Sequence, residues 1–182
     1  LAPDNPSDDG ARAVAQILGD RGVDVHYVRT VREARALALE GTTLLVAGTA
    51  ALDSEGAQAL ASVPADLVVV GPDAWVLEEL TGGEFTMQHE FTSGVREAGC
   101  PDPDARAAGR IAYDGRAISA TGDGVVCFTE PGLEESGGAF GSLERDGRRV
   151  VVISDEGVIT NARLAEHGHA ALALRTLGAH ED

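Results

Sequence analysis

Asp66-Leu67-Val68-Val69-Val70-Gly71 decides the fold of this chain. Four consecutive aliphatic residues leave no polar face, so a strand built from them must be covered on both sides. That is the signature of a parallel sheet sandwiched between helices. The flanking residues agree. Pro64 stops the segment before it, where Ala57, Leu60 and Ala61 mark one face of a helix opened near Asp53 or Ser54. Upstream, Thr43 to Ala47 reads as another aliphatic strand. Thr30 and Glu33 have the spacing of a capping box for a helix carrying Val31, Ala34, Leu37 and Ala38. Ala11, Val14, Ala15 and Leu18 line a first helix that Gly22 closes, and Val23, Val25 and Tyr27 alternate as a strand would. The expectation is an α/β chain, a three-layer flavodoxin-like domain with a mostly parallel central sheet.

The pattern changes after a short helical stretch over 73–80 and the Gly82-Gly83 break. Three Asp-Gly pairs, at 114–115, 123–124 and 146–147, separate short β-rich runs, and Asp-Gly suits the positive φ angles of a tight hairpin. Residues 111–113, 117–121, Val125 to Thr129, 139–143 and 149–154 are therefore expected as an antiparallel set, with 150–153 apolar enough to rejoin the main sheet. The Gly-rich link over 131–141 reads as a mobile loop. Ala170, Ala171, Leu174 and Leu177 share one face of a C-terminal helix. One domain over 1–182 follows: helix-strand alternation over 1–82, a mainly antiparallel insertion over 83–148, and a last core strand and helix over 149–182.

Thirty acidic residues against 14 basic ones give a net charge of -16. A field of that sign repels nucleic-acid phosphates and anionic headgroups, so no nucleic-acid partner is expected. No apolar run approaches the roughly 18 residues of a membrane span. The chain opens on Leu1 without a signal peptide, which reads as a segment excised from a longer protein.

Catalytic signatures are sparse. Neither Cys100 nor Cys127 sits in a nucleophile elbow, there is no Walker loop, and Gly122-x-Gly124 reads as a hairpin turn. His167-x-His169 lacks the accompanying ligands of a metal site and reads as surface histidines. His26 and His89 read as solvent-facing strand residues. The acidic doublets Glu134-Glu135 and Asp155-Glu156 lack the alternation of a calcium loop. No metal and no cofactor are expected. Open α/β sheets bind ligands at the carboxyl ends of their strands, which nominates Gly48, Thr49, Pro72, Asp73, Trp75, Asp155 and Asn161 as lining one crevice. Against that stand two plainer roles: Trp75 packing its helix on the sheet, and Thr160-Asn161 capping a helix.

Leu1-Ala2-Pro3-Asp4-Asn5-Pro6 with Gly10-Ala11-Arg12-Ala13, the strands at 42–46 and 65–70, and residues 160–165 and 168–174 together resemble an actinobacterial family catalogued as a domain of unknown function, DUF 4350. The resemblance implies a class I glutamine amidotransferase-like fold without the catalytic cysteine. It also implies a place outside the cytoplasm, between two transmembrane helices of a membrane protein. His169 stands where the family pattern has Asn. A location outside the cytoplasm favours a Cys100–Cys127 disulfide, the alternative being two buried apolar thiols. Three functions remain open: a non-catalytic extracytoplasmic module binding a protein or cell-envelope partner, a small-ligand sensor, or a divergent hydrolase or amidotransferase using the crevice.

Overall fold

The aliphatic run lies at the centre of a parallel triple in the computed structural model, which describes residues 1–130 and 137–180. Strand β2 (Asp66–Val70) pairs in parallel with β1 (Thr43–Ala47), Leu44 opposite Leu67, and on its other side with β7 (Arg148–Ile153), Leu67 opposite Val150. Leu67 to Val70 are all but inaccessible, as four apolar residues covered on both faces must be. The expected adjacency of the 43–47 and 66–71 segments holds, and 150–153 rejoins the main sheet.

Local signals account for the helices. Helix α1 (Arg12–Asp20) buries Val14 and Leu18. Helix α2 (Val31–Leu37) starts at Thr30, whose hydroxyl accepts the Glu33 N–H at 3.2 Å, as the capping box predicts. Helix α3 (Ser54–Ala61) starts at Asp53, whose carboxylate accepts the Gly56 N–H at 2.8 Å. Helix α4 (Ala74–Thr81) follows β2 and ends on Gly82 at φ +64°, a left-handed cap.

The rest of the sheet is antiparallel. Strand β6 (Gly138–Arg145) pairs with β7 and with β5 (Val125–Thr129). Strand β4 (Arg110–Ala120) touches β6 at Ile118 and pairs along its length with β3 (Phe85–Glu97). The order is β1-β2-β7-β6-β4-β3, with β5 off this path. Helices α5 (Pro103–Ala108) and α6 (His169–Leu177) pack on each other beside it.

Several expectations need correction. The 23–27 segment is not a strand: Val25 and Tyr27 are 41% and 46% exposed, and a groove of about 750 Å³ lies between this segment and β1. Asp24 and His26 alternate with the apolar residues, so the segment has one apolar face where a strand of this parallel sheet needs two. Among the described residues the parallel part is therefore three strands of seven. Asp114-Gly115 is not a turn but the middle of β4, opposite Ser93 and Thr92. Gly115 lets the Tyr113 ring lie across it, since a Cβ there would stand 3.2 Å from the ring. Asp146-Gly147 does turn, with φ of +53° and +78°. Residues 138–141 belong to β6 rather than to a loop, while 131–136, with Glu134 and Glu135, lie outside the described residues.

Candidate functional site

The strand ends bring together part of the expected crevice. Gly48, at φ +67°, turns the chain out of β1 and buries Thr49. The Thr49 hydroxyl donates to Asp73 Oδ2 at 3.2 Å and accepts the Asp73 N–H at 3.0 Å, stitching the end of β1 to that of β2. Pro72 is buried. Trp75 does not pack α4 on the sheet: it stays 42% exposed while Val76, Leu77 and Leu80 make that contact.

Asp155 and Asn161 serve other ends. Asp155 is buried: its Oδ1 accepts the Gly157 N–H at 2.8 Å, and its Oδ2 takes the Asp114 N–H at 3.0 Å and Arg163 Nη1 at 2.9 Å. Burial works against the Arg163 charge, but hydrogen bonds to Glu166 and Asp155 prevail and raise its pKa. Asn161 does not cap the helix that follows it, α6 (His169–Leu177), but the first turn of α1. Its side chain clamps the N-terminal segment, accepting the Ala13 N–H at 2.8 Å and donating to the carbonyls of Asn5 at 2.9 Å and Ser7 at 2.6 Å. Asn161→Ala is expected to cost about 1–3 kcal/mol and to speed amide exchange over residues 1–13 selectively, measurable by hydrogen-exchange mass spectrometry.

The histidines do not converge. His169 is fully buried rather than at the surface, its Nδ1 2.9 Å from the Arg163 carbonyl and its Nε2 3.1 Å from the Ala112 nitrogen. With a proton on Nδ1 the ring donates to the Arg163 carbonyl and accepts the Ala112 N–H; with a proton on Nε2 it donates to the Ala112 carbonyl, 2.8 Å away. His167 is exposed at φ +43°, and His26 is exposed beside Asp24 at 3.0 Å. Among the described residues no cluster of ligating side chains suits a metal ion.

A second cleft, of about 330 Å³, lies on the β3–β4 ribbon. Residues directly opposite on antiparallel strands share a face, so the pairs Thr92–Gly115, Gly94–Tyr113 and Arg96–Ile111 place Thr92, Arg96 and Tyr113 together. Gly94 sits at φ +140°, a backbone conformation that a side chain disfavours, and the Arg96 guanidinium occupies the space beside it, one nitrogen 2.8 Å from where a Cβ would stand. Arg96 thus folds over the strand and reaches Glu130, Nη2 to Oε2 3.3 Å. The register shifts between Met87 and Phe91, and this bulge carries Gln88, His89 and Glu90 to the cleft. It is held in place by Gln88, whose Nε2 donates to Ser119 Oγ at 2.6 Å and whose carbonyl accepts from Arg116 Nε at 2.7 Å.

Two features of this cleft are costly to the fold. Phe128 has φ +57°, a backbone region that a Cβ disfavours, and such strain concentrates at functional sites. The Tyr113 hydroxyl is buried with no hydrogen-bond partner among the described residues. Burial raises its pKa. The hydroxyls of Ser154 and Thr92 lie close enough to oppose that rise, yet neither reaches hydrogen-bonding geometry.

Residues 3–177 match the family described as "Domain of unknown function (DUF4350)". The chain belongs to this family. The DUF4350 chain is 31% identical over 183 residues to the uncharacterized membrane protein Rv3691 of Mycobacterium tuberculosis, covering 98% of the chain and 45% of that protein. It thus spans less than half the length of this curated relative. Among solved structures it is similar to the mmIFT52 N-terminal domain, with a TM-score of 0.66 at 10% identity, over 100% of the chain and 93% of that structure. At that identity the likeness concerns the fold alone. Sequence reasoning missed the DUF4350 cleft, although Gly94 and Gly115, each two residues from Arg96 or Tyr113, were its available signal. A glycine inside a strand marks a place where another group comes close.

Proposed function

We propose that this DUF4350 domain is a non-catalytic recognition module of a membrane-anchored protein, held on the extracytoplasmic face and engaging a protein or cell-envelope component. The observation that carries this reading is how the strand-end crevice uses its polar groups. Asp73 is bound to Thr49, Asp155 to Arg163 and two backbone N–H groups, and Asn161 to the N-terminal segment. These side chains hold loops in place where an enzyme would aim an acid, base and nucleophile at substrate. The Cys100–Cys127 disulfide suits an oxidising compartment, and the similarity to a membrane protein suits an anchor outside this segment. The helix-strand alternation up to Thr81 supports a divergent flavodoxin-like layering of amidotransferase type, with antiparallel strands completing the sheet.

Photo-crosslinking of the full-length protein in its own membrane is expected to capture an extracytoplasmic protein or envelope polymer. The purified protein is expected to turn over no ester, amide or phosphate substrate. Turnover abolished by Asp73→Asn would replace this reading with the divergent hydrolase. The small-ligand sensor is favoured by a different observation, the Tyr113 hydroxyl without a partner among the described residues.

A further inference from the structure

The geometry of the β3–β4 cleft points to a binding site for one sugar ring of a neutral glycan, and we propose it as such. The inference rests on the recognition-module reading and names the ligand chemistry that module would take.

Tyr113 supplies the first argument. The residue is 3% exposed, lines the cleft and leaves its hydroxyl unpartnered among the described residues. A buried hydroxyl without a partner costs free energy that a ligand group able to donate or accept would return. The walls narrow the class. Arg96 and Glu130 stand 3.3 Å apart, so a strong donor and a strong acceptor face the same small volume, with Thr92 and Gln88 beside them. Alcohols both donate and accept, and a ring bearing several of them matches such alternation. A phosphate or carboxylate, being an anion, would face Glu90 and Glu130 in a chain of net charge -16. An ammonium, able only to donate, would face the Arg96 guanidinium.

Size and lining agree. About 330 Å³ is at the lower end of small-molecule sites and has room for a hexose-sized ring. Ala117 and Phe128 are the apolar residues of the lining. The bulge that presents Gln88 and the strained backbone of Phe128 are then explained as features kept for the site they shape.

The test is saturation-transfer NMR and calorimetry on the 182-residue chain with methyl glucoside, methyl mannoside and N-acetylglucosamine as probes. At least one is expected to bind. Tyr113→Phe, which keeps the ring and removes only the hydroxyl, is expected to weaken that binding about tenfold while leaving the melting temperature equal or higher. Glu130→Gln is expected to weaken it as well. Absence of binding by all three probes overturns the proposal, and so does binding indifferent to both substitutions or a preference for inorganic phosphate or free glycine. Membrane crosslinks to a partner in the absence of glycoside binding would overturn the sugar site and leave the module reading standing.

Discussion

Reduction of the Cys100–Cys127 bond is expected to remove about 3–4 kcal/mol of stability, the denatured-state entropy returned by opening a loop of this length. The two cysteines are 27 residues apart in sequence and 5.3 Å apart at their Cα atoms. The loop contains α5 and β4, so the bond fastens the segment carrying Tyr113 to β5 at the fully buried Cys127. A domain stable by some 5–15 kcal/mol would lose a large share of that reserve. Denaturant titration of the oxidised protein, the reduced protein and the Cys100→Ala, Cys127→Ala double variant measures the effect. A midpoint unchanged by reduction would show that the bond contributes nothing. Phe128, next along the chain, donates its N–H to the Ala98 carbonyl at 2.9 Å, so exchange at that amide should quicken with reduction. Alkylation of the denatured, unreduced protein should label neither cysteine.

Elements governed by neighbours in sequence were legible. The capping box at Thr30, the Asp53 cap and the aliphatic run of β2 need only a few residues to specify them, and each stands where the sequence puts it. Elements decided by distant partners were not. Val23, Val25 and Tyr27 have the alternation of a strand, but pairing beside β1 requires two apolar faces, and Asp24 and His26 deny one of them. Asp114-Gly115 has turn chemistry, yet the Asp114 N–H finds Asp155 Oδ2 across 41 residues and Gly115 is used to seat the Tyr113 ring.

The candidate site divides along the same line. Thr49 and Asp73 were legible together because strands β1 and β2 are adjacent and parallel, which brings their carboxyl ends side by side. Asn161 was expected as a crevice residue or a helix cap, and it does cap a helix, but its partners, the Ala13 N–H of α1 and the Asn5 carbonyl, lie some 150 residues upstream, where no local motif points. The β3–β4 cleft depends on a bulge, a register and an ion pair across 34 residues, and no local motif encodes any of the three.

Arg149→Met is the substitution expected to damage the fold most, by about 3–5 kcal/mol, because it strands two carboxylates that are each 5% exposed. Arg149 Nη2 is 2.8 Å from Asp102 Oδ2, and Nη1 bonds Asp104. Asp102 also accepts the Ser142 hydroxyl at 2.6 Å and the Asp104 and Ala105 N–H groups that start α5, while Arg175 Nε donates to Asp104 at 2.9 Å. One guanidinium therefore ties β7 to α5, and through shared carboxylates to β6 and α6. Burial alone would raise the Asp102 pKa, but the Ser142 and backbone hydrogen bonds and the Arg149 charge prevail and lower it. A carboxyl lowered in the folded state binds its proton more readily when unfolded. Its contribution is therefore complete above the ordinary Asp value of about 3.9 and is lost as pH falls through the lower folded value. Melting temperature followed from neutral pH to about pH 2 should fall steeply on the acid limb in the native chain and less steeply in Arg149→Met. Combining Arg149→Met with Asp102→Asn and Asp104→Ala should recover part of the loss, since the cost lies in unpaired buried charge. A single variant as stable as the native chain would show that water already reaches these carboxylates.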